Sequence, residues 1–169
     1  MSHPSLLVYP PHGKQIQDWL EKVHSNANAC FTFNFGNSRV TQSHMVSFGN
    51  YLIPKGEQLL FGDGYLPREP LLVTVAEQSV DRGIWHGHGA AHIRSTKRLT
   101  RFLRDFHAVM FDEARRFMRD GIGIKNALPK VTCTPMSAEE SKLWWGYINK
   151  DGFTDADGDR FSFGHPRQR

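Results

Sequence analysis

Cysteine is scarce in this chain. Cys30 and Cys133 are the only two in 169 residues, too few for a disulfide framework, and neither sits in the CxxC pair of a structural zinc site. They read as small buried residues of a reducing compartment. Long apolar runs are missing too, since none approaches the ~18 residues that a membrane span needs. The opening stretch from Met1 to Lys14 lacks the charged-then-apolar pattern of a secretory leader. The expectation is a soluble cytoplasmic protein with no membrane partner. No GxxxxGK[ST] loop occurs, so no P-loop ATPase is built into this sequence. Asp155, Asp157 and Asp159 have calcium-loop spacing, yet Arg160 stands where glycine is required and Pro166 at the twelfth place, which excludes that loop. Internal repeats and low-complexity tracts are absent. Neither sign of charge dominates: 21 Lys and Arg against 17 Asp and Glu leave a net +4 and a pI near 9.2. A polyanionic partner is compatible with that balance but not required by it.

What is present suits one domain over residues 1–169, with a loosely held tail from about Asp155. The fractions of hydrophobic residues (39%) and charged residues (22%) are those of an ordinary globular core and surface. Residues 6–9 look like a strand ended by Pro10 and Pro11, and residues 12–24 have helical spacing through Ile16, Trp19, Leu20 and Val23. Residues 29–35 form an aromatic strand stopped by Gly36 and Asn37. Residues 44–53 read as a second strand and 57–61 as a third, with Pro54, Gly56, Gly62, Gly64 and Pro67 as loop punctuation. Residues 71–77 are a further strand, turned by Asp81, Arg82 and Gly83 into a hairpin with residues 84–93. The clearest helix covers 97–120, with Ser95 or Thr96 as cap, Gly121 as stop, and an apolar stripe through Leu99, Phe102, Phe106, Met110 and Ala114. Residues 122–133 read as extended around Pro129. A last helix begins at Ser137, where Glu140 completes a capping box, and runs to Gly152. The sum is an α+β sandwich, a central antiparallel sheet with helices mainly on one face.

Three short motifs carry the chemistry. Trp85-His86-Gly87-His88-Gly89 puts two imidazoles on one strand face, about 6.6–7 Å apart at the backbone, where they can converge on one divalent ion. Tyr147-Ile148-Asn149-Lys150 sets a phenol and an ammonium on one helix face. Phe31-Thr32-Phe33-Asn34 points its aromatics to the core and Thr32 and Asn34 the other way. A metal, a phenol and a cation together suit attack on a phosphodiester. Each motif also has a plainer reading: polar residues on a solvated strand, a tyrosine packed with Trp144 and Trp145, a lysine favouring a helix C-terminus. His92 lies four residues past His88, too far to share its ion, and is structural or DNA-facing.

Taken in order, FTFN, an acid with HxH, and YxxK, residues 29–150 resemble the HUH endonucleases of the replication-initiator type. That resemblance implies an RNA-recognition or ferredoxin-like fold. It implies nicking and joining of single-stranded DNA at a replication origin, some of it in a hairpin, to start rolling-circle replication of a plasmid or phage. Tyr147 would be the nucleophile, leaving a 5′-phosphotyrosine and a free 3′-hydroxyl, with Lys150 assisting. His86, His88 and an acid would hold Mn2+ or Mg2+, Thr32 and Asn34 would border the DNA, and a separate helicase would be the partner. Arg98 and Arg101, on the basic face of the long helix, are candidate DNA contacts, although a solvated surface explains that face at least as well. The alternatives are a non-catalytic nucleic-acid-binding module, a transposase or relaxase of the same superfamily, and a metal-dependent hydrolase in which water attacks. Gly87 and Gly89 depart from the bulky apolar neighbours usual in the family, and Phe102 or Phe106 is expected to fill the space they leave. The long separation of His88 from Tyr147 is attributed to an extra segment, 122–135.

The acid depends on a turn. A two-residue loop at Asp81-Arg82 sets Glu77 opposite His86, whereas a three-residue loop with Gly83 left-handed sets Gln78 there. Glu77 is preferred because a carboxylate suits a hard dication better than an amide.

Overall fold

The computed structural model describes residues 25–62, 72–148 and 161–163. The strand and helix expected within residues 6–24 lie outside these, as do Lys150 and the helix stop at Gly152. In chain order the elements are β1 (Ala29–Asn34), α1 (Gln42–Phe61), β2 (Leu72–Gln78), β3 (Trp85–Ala91), α2 (Thr96–Arg116) and a π-type turn, Phe117–Ile122. These are followed by β4 (Lys130–Pro135), α3 (Ala138–Ile148) and β5 (Phe161–Phe163). The sheet runs β4-β1-β3-β2-β5, and every pairing in it is antiparallel. β1 to β4 with α1 and α2 follow the βαββαβ order of a ferredoxin-like fold, so the expected α+β class is the class found.

The aromatic strand organises the core. Phe31 and Phe33 are fully buried on one face of β1, where Phe31 meets Phe106 edge-on (centroids 5.1 Å apart) and Phe33 meets Phe48 likewise (5.1 Å). α1 and α2 supply Phe48, Leu52, Phe102, Phe106 and Met110 to this layer. Removing a phenyl ring of this kind from water stabilises by roughly 1.5–3 kcal/mol. A smaller apolar cluster on the opposite face, Ala27, Val73, Val75, Ala90, Met136 and Trp145, seats α3 over one end of the sheet.

Three expectations are corrected. Residues 44–53 and 57–61 are not strands but parts of α1. Thr41 caps that helix by accepting from His44 N at 3.3 Å while His44 Nδ1 accepts from Thr41 N. Its buried positions Met45, Phe48, Leu52, Ile53, Gly56 and Leu60 recur at helical spacing. Pro54 removes one helical N–H without ending the helix. Gly56 faces Leu72 and Phe106 at a close crossing and does not mark a loop. Second, neither Phe102 nor Phe106 fills the space over Gly87 and Gly89. Phe33 pairs across from Gly87 and Phe31 from Gly89, and their rings lie on those glycines, with Phe102 and Phe106 behind Phe31. Third, the C-terminal region is not loose throughout, because residues 161–163 add an edge strand to β2; the apolar-polar-apolar run Phe161-Ser162-Phe163 has a strand's period. Residues 122–133, read as extended, comprise the end of the π-type turn, a turn closed by Gly123 at φ 77°, and the first part of edge strand β4.

Candidate active site

The register of the sheet decides what meets on its other face. Asn34 lies opposite His86 across β1 and β3, and His86 lies opposite Glu77 across β3 and β2. One step along, Thr132, Thr32, His88 and Val75 form the next row. The Glu77 register is the one a two-residue loop would give, but the turn itself is longer. Ser79 N donates to Ile84 O at 3.0 Å and Gly83 N to Ser79 O at 2.9 Å, with Gly83 left-handed at φ 62°. Residues 80–83 therefore close the hairpin, and the longer turn leaves the strand pairing where the short one would have put it. Gln78 pairs with Trp85 and gives its side-chain amide to Gly83 O at 2.8 Å, away from the histidines.

Glu77, His86 and His88 converge. Glu77 Oε2 lies 3.1 Å from His88 Nε2 and 3.7 Å from His86 Nε2, and one ligand atom from each residue falls within 4.8 Å of the others. The imidazoles stand nearly perpendicular, 4.8 Å apart. His86 Nδ1 faces Ile84 O at 3.5 Å, a long contact that leaves Nε2 toward the carboxylate. All three side chains are half-buried, with side-chain exposures of 15–19%. Octahedral ligands at about 2.1 Å from an ion stand about 3.0 Å apart; the Glu77–His88 pair already has that separation, and His86 at 3.7 Å from the carboxylate would draw in to complete the set. The group can hold a divalent ion.

Tyr147 arrives from α3, and its ring centre lies 5.9 Å from that of His88. It is 48% exposed, unlike Trp145, which anchors the helix in the apolar cluster. The reciprocal cap at the helix start, Glu140 N to Ser137 Oγ at 3.2 Å and Ser137 N to Glu140 Oε2 at 2.7 Å, fixes where the helix begins. The Ser137 backbone N–H, and after it the Ser137 hydroxyl, hold the Glu140 carboxyl below its ordinary range.

Of the remaining expected residues, Thr32 and Asn34 share the histidine face. Thr32 Oγ1 is hydrogen-bonded to Thr132 Oγ1 at 2.7 Å, and Asn34 Oδ1 accepts from Gly36 N at 2.7 Å. Arg98 and Arg101 do not join the site. α2 covers the phenylalanine face of the sheet, where Arg98 lies over the Phe61 ring and Arg101 pairs with Asp105 at 3.9 Å. His92 hydrogen-bonds Asn26 O through Nδ1 at 2.6 Å, which gives it a structural tie. The two cysteines are half-buried and unbridged. Cys30 Sγ contacts Thr134 Oγ1 at 3.2 Å, and burial pushes the Cys133 thiol up to about 12. Thr132 and Lys130 on β4 were missed as site residues, although the alternation Lys130-Val131-Thr132-Cys133-Thr134 is a strand signal.

No protein-family model matches the chain, and no curated protein matches it. Among solved structures, a bacterial tRNA(His) guanylyltransferase (Thg1)-like protein in complex with ATP is similar at a TM-score of 0.39 and 10% identity, over 83% of this chain and 64% of that one. The chain thus spans less than two thirds of that protein's length, and a likeness of this degree carries nothing over to its chemistry.

Proposed function

We propose that this protein is a metal-dependent nickase and strand-transferase of single-stranded DNA that works through a covalent link to Tyr147, as a replication initiator of a plasmid or phage would. One observation carries the reading: a solvent-accessible phenol from α3 stands beside an imidazole of a Glu77-His86-His88 group built on two other elements. A bound Mn2+ or Mg2+ would supply Lewis acidity to a phosphate at the face of that group. Glu77, His86 and His88 would hold the ion, and the carboxylate favours a hard dication. Tyr147 Oη would attack phosphorus while the P–O3′ bond breaks. The phenolic proton passes to solvent, and the departing oxygen takes a proton to become a 3′-hydroxyl. The energy of the broken ester stays in the tyrosyl phosphate, so the same atoms can run backwards and rejoin a strand. Lys150, three residues after Tyr147 in the sequence, is assigned to the charge that builds on the phosphate.

Incubation with end-labelled single-stranded DNA and Mn2+, resolved on a denaturing gel, tests this. A protein-DNA adduct should form with the wild type, fail with Tyr147→Phe, and weaken with Lys150→Ala. Cleavage without adduct would instead favour attack by water. Binding without cleavage would leave a nucleic-acid-binding module, the histidines being incidental.

A further inference from the structure

The site has a neighbour. A pocket of about 610 Å³ opens where β1 ends, β4 begins and the β2–β3 turn folds over, within the size range of small-ligand pockets. It shares Asn34 and Lys130 with the sheet row that holds His86 and Glu77. Among the described residues its lining contains two cations, Arg82 and Lys130, and no carboxylate. Both cations are exposed, and neither has an ion pair among the described residues. Asn34 and Asn37 have committed their side-chain oxygens to the backbone amides of Gly36 and Arg39, at 2.7 and 2.9 Å. With each oxygen already accepting one bond, Nδ2 is the group each asparagine has to offer a ligand. Leu128, 77% exposed, adds an apolar surface at the rim.

From this we infer a nucleotide subsite next to the metal group, one that seats a base of the single strand beside the phosphate to be cut. Arg82 and Lys130 hold the flanking phosphates, the asparagine amides meet acceptor atoms on the base edge, and Leu128 covers a base or sugar face. A wall dominated by donors favours keto bases, thymine or guanine, over the amino edges of adenine and cytosine, by about three- to tenfold for one hydrogen bond gained or lost. The inference rests on the nickase reading, and its test separates the two.

Binding of fluorescein-labelled 30-mers, of mixed sequence or of oligo-dT, oligo-dA and oligo-dC, is followed by anisotropy in EDTA, so that neither metal nor cleavage contributes. Arg82→Ala with Lys130→Ala should weaken binding at least tenfold. It should also flatten the salt dependence by about 1.4 in log–log slope, for two phosphate contacts on a single strand. Lys97→Ala with Arg104→Ala removes the same net charge from the far side of the sheet and should change affinity less than twofold. Oligo-dT should bind more tightly than oligo-dA or oligo-dC. Equal losses in both double variants would reduce the effect to net charge and overturn the subsite. A pocket variant that binds like the wild type, while the wild type still forms its adduct with Mn2+, would overturn the subsite and leave the nickase standing. A wild type that neither binds single strands nor forms an adduct would overturn both.

Discussion

Replacing Gly87 with alanine sets two effects against each other, and the structure decides between them. Glycine in a strand interior is ordinarily a liability of roughly 0.5–1 kcal/mol relative to alanine, because the unfolded chain is freer. On that ground alone Gly87→Ala should stabilise. A Cβ at position 87 would, however, lie closer than 3.0 Å to three carbons of the Phe33 ring, where ordinary contact begins at 3.4 Å. The ring cannot move aside easily. Phe33 is 1% exposed and is backed by Phe48 and Phe35, with centroids 5.1 and 6.4 Å away. Overpacking of a rigid aromatic layer costs about 1–3 kcal/mol and occasionally more, so the clash outweighs the entropy gain. We expect a net destabilisation of about 2 kcal/mol, read as a fall in the urea midpoint at unchanged slope.

The same substitution has a consequence for the site, because Gly87 separates His86 from His88 on β3. Relief of the clash by lifting β3 would part the imidazoles from Glu77, and Mn2+ affinity should fall although no ligand has changed. A second substitution, Phe33→Leu, makes room. In a double-mutant cycle the pair should recover at least about 1 kcal/mol relative to the sum of the single changes. A Gly87→Ala protein as stable as the wild type, or a cycle with no coupling, would refute the placement of Phe33 over this glycine.

Other substitutions test other parts of the structure. Glu77→Ala, His86→Ala and His88→Ala should each lower Mn2+ affinity in calorimetric titration by more than tenfold, whereas Gln78→Ala and His92→Ala should not; a loss confined to the glutamine variant would reassign the ligand. Glu57 is 6% exposed within α1, its Oε1 has no hydrogen-bond partner among the described residues, and burial raises its carboxyl from 4.5 to about 7. Between those values the unfolded chain releases a proton that the folded chain keeps, so stability falls as pH rises, by at most about 3 kcal/mol across the window. Glu57→Gln should remove that slope, and equal pH dependence in both proteins from pH 5 to 8 would show that the carboxyl is not buried uncharged. Ser137→Ala deletes half of the reciprocal cap on α3 and should cost about 1 kcal/mol, with adduct formation slowed because Tyr147 rides on that helix; unchanged stability and rate would mean that Trp145 alone seats it.

How much of this was legible in the sequence follows from how local each signal is. β1, β2, β3 and α2 declare themselves through the period of their own residues, and the start of α3 through Ser137 and Glu140, three positions apart. α1 did not, because Pro54 and Gly56 carry the marks of a loop. Only contact with Leu72 and Phe106, far away in sequence, explains why a glycine belongs inside that helix. The types of the site residues were readable, since imidazoles one residue apart and a carboxylate near the end of the preceding strand advertise a metal-binding chemistry. Their partners were not, because a neighbour across a sheet is fixed by register. Turn composition left two registers open at β2–β3, and the choice fell to a four-residue turn that combines the pairing of one with the left-handed glycine of the other. The same reasoning accounts for Arg98 and Arg101. Helical period identifies the polar stripe of α2 but not which face of the sheet the helix covers. That depends on Phe31 and Phe33 drawing Phe102 and Phe106 to their side, which leaves the histidine face to α3. Charge therefore accumulates where the apolar stripe of α2 places it, and the cations that line the pocket beside the Glu77–His86 row are the less conspicuous pair, Arg82 and Lys130.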